Sequence, residues 1–372
     1  MAKQQQHSRS LYLSIALIMA ALGLAYAPIP GTTPQSVIVV SGSELQEPLQ
    51  KAIQQFQQQH PHIQIALKTQ GSLDMVNQFV DRKNDFEPTI LIPANGELLK
   101  DLEARWQAQN NSAAFYGTPL PIAKTRLVAI AWTERGKALF PDGQFRWERI
   151  EQAMQAQTWG NFGGTAAWGS FDFKMTNPAR SNSGQLTLGL WLESKLKQST
   201  LSTADLSVPE ARSLVSLVKR SVYQPARSSD ILLQEFIASG ANEADIATDY
   251  ESIALYRWAQ SKTSQSQPYR IYDISPTVET VLTAAIVRQN VAKGTAKAAQ
   301  TFLDALTQPA YQSILVQYGF RPVNPSVRVE TVTGSPWQQS IPGARAKPAT
   351  TAIPSPALQT LQEIGRLWER AQ

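Results

Sequence analysis

VIVVSGSELQEPLQKAIQQF, residues 37–56, decides the fold. Four consecutive apolar residues read as a short buried strand. Ser-Gly-Ser punctuates it, and then Leu45, Leu49, Ile53 and Phe56 recur at helical spacing on one face. The same unit follows twice more. IQIALK (63–68) alternates as a strand, Gly71 and Ser72 turn the chain, and LDMVNQFVDR (73–82) has helical periodicity. PTILI (88–92) is a third apolar strand, PANG (93–96) its turn and ELLKDLEARW (97–106) its helix. Strand–turn–helix three times over implies parallel strands with helical crossovers, hence an α/β fold. Ligands of such sheets gather at the carboxyl ends of strands, where helix N-termini converge.

Outward from this block, TRLVAIAW (125–132) is a fourth strand and FRWERIEQAMQ (145–155) a short helix. VPEARSLVSLVKRSV (208–222) is a helix that Ser207 can cap, with Pro209 in its first turn. SSDILLQEFIASG (228–240) is another, stopped by Gly240. ADIATDY and YRIYDIS read as strands, as does TAAIVR. ESIALYRWAQ, GTAKAAQTFLDALTQ and AYQSILVQYG read as helices. Residues 331–356 shift to Pro, Ser, Thr, Ala and Gly, the composition of a linker. The last stretch, 357–372, carries an apolar stripe of Leu358, Leu361, Ile364 and Trp368 that predicts an amphipathic helix docked on the body.

The amino terminus has its own signature. MAKQQQHSRS is polar and basic, and LYLSIALIMAALGLAYA (11–27) is apolar. Residues 1–35 therefore read as a signal peptide or an N-terminal membrane anchor, with Ala25-Tyr26-Ala27 as a cleavage site followed by Pro28. Either way the remainder is exported. The chain of 372 residues carries a net charge of +5, but the terminal segments supply most of it. With no basic stripe between 36 and 330, nucleic-acid binding finds little support. The absence of Cys excludes disulfides, thiolate nucleophiles and thiolate metal sites. The three His, at 7, 60 and 62, supply neither a hydrolytic triad nor a His-rich metal site. His60-Pro61-His62 fits a helix–strand loop better than a metal site, and Trp132, Trp159 and Trp168 fit core packing better than sugar stacking.

Four turns are candidates for one site: SGSE (41–44), GSLD (71–74), PANG (93–96) and the SNSG of TNPARSNSG (176–184). Free backbone N–H groups at a helix start attract anions, Ser adds donors, and Gly admits a ligand close to the backbone. Arg180 adds a possible bidentate contact. The competing reading is plain helix capping. No GxxxxGK[ST] pattern is present, so nucleotide hydrolysis is unsupported.

On these residues the segment 36–330 resembles the type II periplasmic solute-binding proteins of ABC importers, in the branch with molybdate-, sulfate- and phosphate-like binders. VIVVSGSELQEPLQKAIQQF, GSLDMVNQF, TRLVAIAW, PARSNSG and TDYES match the family's pattern, and AYQSILVQYGFRPVNP (310–325) resembles the helix and turn that close its domains. The resemblance implies two Rossmann-like α/β lobes joined by a two-strand hinge, with lobe one at 36–128 plus 276–330 and lobe two at 129–275. It implies a small ligand, an oxyanion first, held by Ser41, Ser43 and Ser72 from lobe one and by Arg180, Ser181, Ser183 and Gly184 from lobe two, with Tyr250 nearby. No cofactor, metal or catalytic residue is implied. The partner would be an ABC permease, and the place the periplasm or the outer face of the cytoplasmic membrane. Asp249 and Glu251 depart from an oxyanion site, since a carboxylate facing the ligand suits a cation, an amine or a neutral solute. The linker and last helix also resemble solute-binding domains that precede a von Willebrand A domain, which leaves open a membrane-anchored sensory protein working with such a partner.

Overall fold

The computed structural model describes residues 34–372; the signal or anchor expected at 1–35 falls almost wholly outside them. Strands β1 (Gln35–Ser41), β2 (Ile63–Thr69) and β3 (Ile90–Ile92) pair in parallel with β1 in the middle. The helices Gln46–Gln59, Ser72–Val80 and Glu97–Asn110 follow them in turn. Leu45, Leu49, Ile53 and Phe56 are all buried, as their spacing predicts, and join Val37, Val39 and Phe302 in one apolar core.

One strand then builds two sheets. β4 (Phe115–Trp132) pairs antiparallel with β8 (Thr277–Val287) as far as Arg126. From Leu127 onward it pairs antiparallel with β6 (Ile246–Tyr250) and β7 (Tyr269–Asp273) instead. β8 also pairs with β3, which ties it to the first sheet, and β5 (Phe173–Lys174) adds to β6 in parallel. A second large core, with Phe173, Leu186, Trp191 and Ile246, fills the later half. The architecture is therefore two α/β lobes joined by β4 and by the run from β7 into β8. β4 begins ten residues before TRLVAIAW because Gly117, Pro119 and Pro121 mask its first half. The register shifts there, and irregular pairing is what lets Pro sit in a strand.

Two local expectations change. The helix Pro209–Ser221 is preceded by Val208, not capped by Ser207, whose hydroxyl donates to the Ala204 carbonyl at 2.7 Å. Pro209 in the first turn needs no N–H partner, so the helix start loses little. The segment 331–356, linker-like in composition, lies along the body. Val332 and Ile341 are buried, Ile271 N–H donates to the Pro342 carbonyl at 2.9 Å, and β9 (Ala352–Ile353) pairs in parallel with β8. The terminal helix Leu358–Arg370 docks as its stripe predicts, burying Leu361, Ile364 and Trp368 in the second core. Lys219 Nζ donates to the carbonyls of Trp368 and Ala371, both at 2.8 Å, which satisfies acceptors at the helix end.

Candidate functional site

The turn after β1 is shaped by a close approach. Glu44 folds its carboxylate back under the loop, so a Cβ on Gly42 would lie 2.3 Å from Glu44 Oε1. Glycine leaves the space the carboxylate fills. Ser41 is buried and donates to the Gly42 carbonyl at 3.2 Å, while Ser43 opens the short turn Ser43–Leu45. Glu44 Oε1 is buried and has no hydrogen-bond donor. Burial pushes the Glu44 carboxyl up to about 7, and the nearby Asp230 carboxylate adds to the rise.

The second lobe contributes the helix Asn182–Leu196. Its first residues do not act as caps. Ser181 occupies the N-cap position, but its hydroxyl lies 3.1 Å from Ser183 Oγ. Ser183 Oγ in turn lies 2.7 Å from Thr176 Oγ1 and 2.8 Å from Ser229 Oγ. Gly184 packs so tightly that a Cβ there would meet the Thr176 carbonyl at 2.4 Å. Asn182 Nδ2 donates to Tyr250 Oη at 2.8 Å, which ties the helix start to the end of β6. Beside Tyr250, Asp249 is fully buried. Its Oδ1 accepts the Tyr250 N–H at 2.7 Å and its Oδ2 has no donor. Burial raises the Asp249 carboxyl well above the usual range, with Asp230 and Glu44 contributing in the same direction.

Ser181, Ser183 and Tyr250 are thus brought together, with Asn182, Ser229 and Asp249 added. Arg180 and Ser72 sit apart from that cluster. Arg180 Nη2 binds Asp74 Oδ2 at 2.7 Å, and a Cβ on Gly71 would stand 3.3 Å from the Arg180 carbonyl, so this contact joins the two lobes. Ser72 Oγ accepts the Ala94 N–H at 2.9 Å. In the PANG turn, Asn95 Oδ1 accepts the Glu97 N–H at 3.0 Å, an ordinary helix-start contact. Glu251 is neutralised by two arginines: Arg126 at 2.7 Å, and Arg321 of the GFRPV turn at 2.7 and 2.9 Å. Trp132 and Trp159 are core residues, Trp132 stacking on Phe236 with centroids 4.8 Å apart. Trp168 faces Arg135 at 3.9 Å. His60 stacks on Phe56 at 4.4 Å, and no three His, Cys, Asp or Glu are grouped as metal ligands among the described residues.

Between the lobes is a cavity of about 260 Å³ lined by Ser43, Glu44, Glu47, Asp230, Tyr256 and Tyr318. Arg257 bridges two of these acids, with Nε on Asp230 at 2.6 Å and Nη2 on Glu47 at 3.0 Å. A larger depression of about 530 Å³ lies between Leu73 and Val76 of one lobe and Ala179 and Gln185 of the other and is covered by the terminal helix, and one of about 1140 Å³ borders the helix Glu97–Asn110; the Ser43–Glu44 turn reaches neither. The candidate site is therefore the interlobe space around Glu44. Sequence reasoning passed over Glu44, Asn182, Ser229 and Asp230. The available signals were the Glu that closes SGSE and the Ser-Ser-Asp at 228–230, a further polar turn at a helix start.

Two α/β lobes that share a pair of crossing strands and close on a small cavity define a periplasmic binding fold of type II. The chain belongs to the family of bacterial extracellular solute-binding proteins, whose sequence profile matches residues 37–321. By that membership it is an extracellular solute-binding protein. Among solved structures it is similar to a periplasmic thiamin binding protein (14% identity, TM-score 0.62, covering 91% of this chain and 97% of that one). It is also similar to iron-bound HitA from Pseudomonas aeruginosa (14%, 0.56, 90% and 98%). A third similar structure is the sulfate-binding protein SubI from Mycobacterium tuberculosis H37Rv (15%, 0.54, 78% and 88%). At these identities the likeness carries the fold alone. No curated protein matches the chain.

Proposed function

We propose that the chain is an exported receptor, in the periplasm or on the outer face of the membrane, that captures a small solute between its lobes and delivers it to an ABC permease. The observation that carries this reading is the interlobe cavity, faced by the turn after β1 from one lobe and by the start of the helix Ser229–Ser239 from the other. Residues from both lobes at one small cavity let a ligand couple binding to closure. On this reading the chemistry there is recognition, with Tyr256 and Glu47 hydrogen-bonded to each other in the cavity lining.

The oxyanion expectation drew its positive charge from Arg180, which is committed to Asp74. The Ser hydroxyls of the 181–183 turn are engaged with one another, with Thr176 and with Ser229, so the oxyanion keeps its support from one similar protein, a sulfate binder. The sensory alternative, with a von Willebrand A-type partner, drew on the terminal helix. That helix spends its apolar stripe on its own chain. The test is a thermal-shift screen of the full chain with oxyanions, organic cations, sugars and amino acids, followed by small-angle scattering with the best ligand. One class is expected to raise the melting temperature and reduce the radius of gyration. A flat screen across all four classes would sink the receptor reading.

A further inference from the structure

The carboxyl-terminal helix belongs to both lobes. Leu358, at its start, packs against the core of the first lobe. Leu361, Ile364, Leu367 and Trp368 are buried in the core of the second. The hydrogen bonds divide in the same way. Asn95 Nδ2, in the PANG turn of lobe one, donates to Ser355 Oγ at 3.2 Å. In lobe two, Gln185 Nε2 donates to the Leu361 carbonyl at 3.1 Å, and Thr360 Oγ1 donates to the Leu201 carbonyl at 3.3 Å. The helix packs on Glu97–Asn110 from one lobe and on Asn182–Leu196 and Pro209–Ser221 from the other. It thereby roofs the interlobe depression of about 530 Å³.

The two attachments are unequal. A Cβ on Gly365 would stand 3.5 Å from the Pro178 carbonyl oxygen and 3.8 Å from Ala179 Cα, so the helix backbone lies close against lobe two. Four buried apolar side chains and the Lys219 bonds to the helix end complete that side. Lobe one holds a half-buried Leu358, the Ser355 hydroxyl and part of one helix face. Upstream, the segment runs along the hinge. Thr350 Oγ1 donates to the Ile274 carbonyl at 2.7 Å, and Thr277 N–H donates to the Thr351 carbonyl at 3.1 Å, both between β7 and β8. Hinge opening separates the lobes, and an element fixed to both must let go of one. The weaker attachment gives way first, which is lobe one.

We propose that the carboxyl-terminal segment is an interlobe strap. Its helix travels with lobe two, and Ser355 and Leu358 form a releasable catch on lobe one that must let go before the cleft opens. The strap sets how readily the lobes part, whichever solute enters between them. It goes beyond the receptor reading and does not depend on it, since it concerns the coupling of the lobes themselves.

The test reads the gap that the strap spans. The chain has no Cys, so two introduced thiols take spin labels at those positions alone. Lys100→Cys and Glu210→Cys place them at exposed positions on the helices Glu97–Asn110 and Pro209–Ser221, one from each lobe and both in contact with the strap. Pulsed electron resonance on the full chain, with no solute added, gives the distribution of the distance between them. Ser355→Ala with Leu358→Asp sets a carboxylate against the apolar core of lobe one and removes the hydrogen bond. This pair is expected to shift the distribution to longer distances. Gln359→Asp, an exposed neighbour, should leave it as in the parent. If the double variant does not fold, Ser355→Ala with Leu358→Ala decides, with a smaller shift in the same direction. A lower melting temperature with an unchanged distribution would mean that the tail only adds stability, and would overturn the strap. An equal shift from Gln359→Asp would overturn the catch. A flat solute screen leaves these outcomes untouched, so failure of the receptor reading and failure of the strap are told apart.

Discussion

Asp249 and Glu251 lie two residues apart at the end of β6, and both are buried, at 0% and 1% exposure. Their surroundings are opposite. Glu251 is gripped by Arg126 and Arg321, one from the hinge strand β4 and one from the turn after the helix Pro309–Gln317. Asp249 has the Tyr250 backbone donor and the nearby Ser229 hydroxyl, and the charges it feels are those of Asp230 and Glu44. A buried acid with two guanidinium partners is part of the scaffold, since its charge is satisfied whether or not a ligand is present. A buried acid with none keeps an unmet interaction that something else can complete. The difference separates a paired buried acid from an unpaired one within three residues.

Breaking the scaffold side of this comparison should produce the largest effect. Glu251→Ala leaves Arg126 buried without its 2.7 Å partner, and loss of one member of a buried pair costs about 3–5 kcal/mol. Asp273 stays close to Arg126 at 2.9 Å, which points to the lower end of that range. Asp249→Asn should leave stability unchanged or raise it, because the replacement keeps the acceptor for Tyr250 N–H and removes a carboxyl that burial disfavours in its charged form. Urea denaturation of both variants checks this. A similar loss from the two would erase the distinction.

The unpaired side has a signature in pH. The Glu44 carboxyl rises from 4.5 to about 7 on folding, so the folded state holds this proton more tightly than the unfolded chain does. The stability it contributes is fully present below about 4.5 and is lost as pH rises through about 7. At about 1.4 kcal/mol per unit, the loss for this group is up to about 3 kcal/mol. Glu44→Gln should flatten that part of the pH–stability curve and make the ligand-free protein more stable than the parent at pH 8. Glu193 and Asp245, raised to about 7 and about 6 by burial, contribute a slope of the same sign that the substitution leaves in place. A parent-like slope in Glu44→Gln would mean that Glu44 is not desolvated.

The sequence makes the fold far more legible than the site, for a physical reason. Apolar periodicity reports burial of a whole face, so β1, the helix Gln46–Gln59 and the terminal helix follow directly from spacing. What a polar side chain touches depends on which distant segment lies opposite. Ser183 looks like a helix-start donor in one dimension, but in three it spends its hydroxyl on Thr176, Ser181 and Ser229. Arg180 looks like the charge of an anion cradle, and Asp74, more than a hundred residues earlier, claims it. Asp249 and Glu251 stood out as departures from an oxyanion site, yet only the positions of Arg126 and Arg321 tell them apart. The first half of β4 was hidden by its prolines and a glycine, whose effect on pairing is a local irregularity rather than an end to the strand.

The smallest effect concerns Arg180, and it probes the boundary between the two kinds of charge. The pair with Asp74 joins the lobes at 2.7 Å, but the side chains are 44% and 31% exposed. Solvent screens such a pair, and exposed ion pairs contribute about 0.2–1 kcal/mol. A double-mutant cycle with Arg180→Ala and Asp74→Ala should give a coupling in that range in the ligand-free protein, and it should shrink in high salt. If the pair serves only as an interlobe latch, Arg180→Ala and Asp74→Ala should weaken ligand binding to the same small extent, since each removes the same contact from the closed form. A binding loss of a decade or more confined to Arg180→Ala would show that the guanidinium leaves Asp74 to meet the ligand. The site would then carry an anion-binding arm after all, and the contrast between Asp249 and Glu251 would describe the protein only before its ligand arrives.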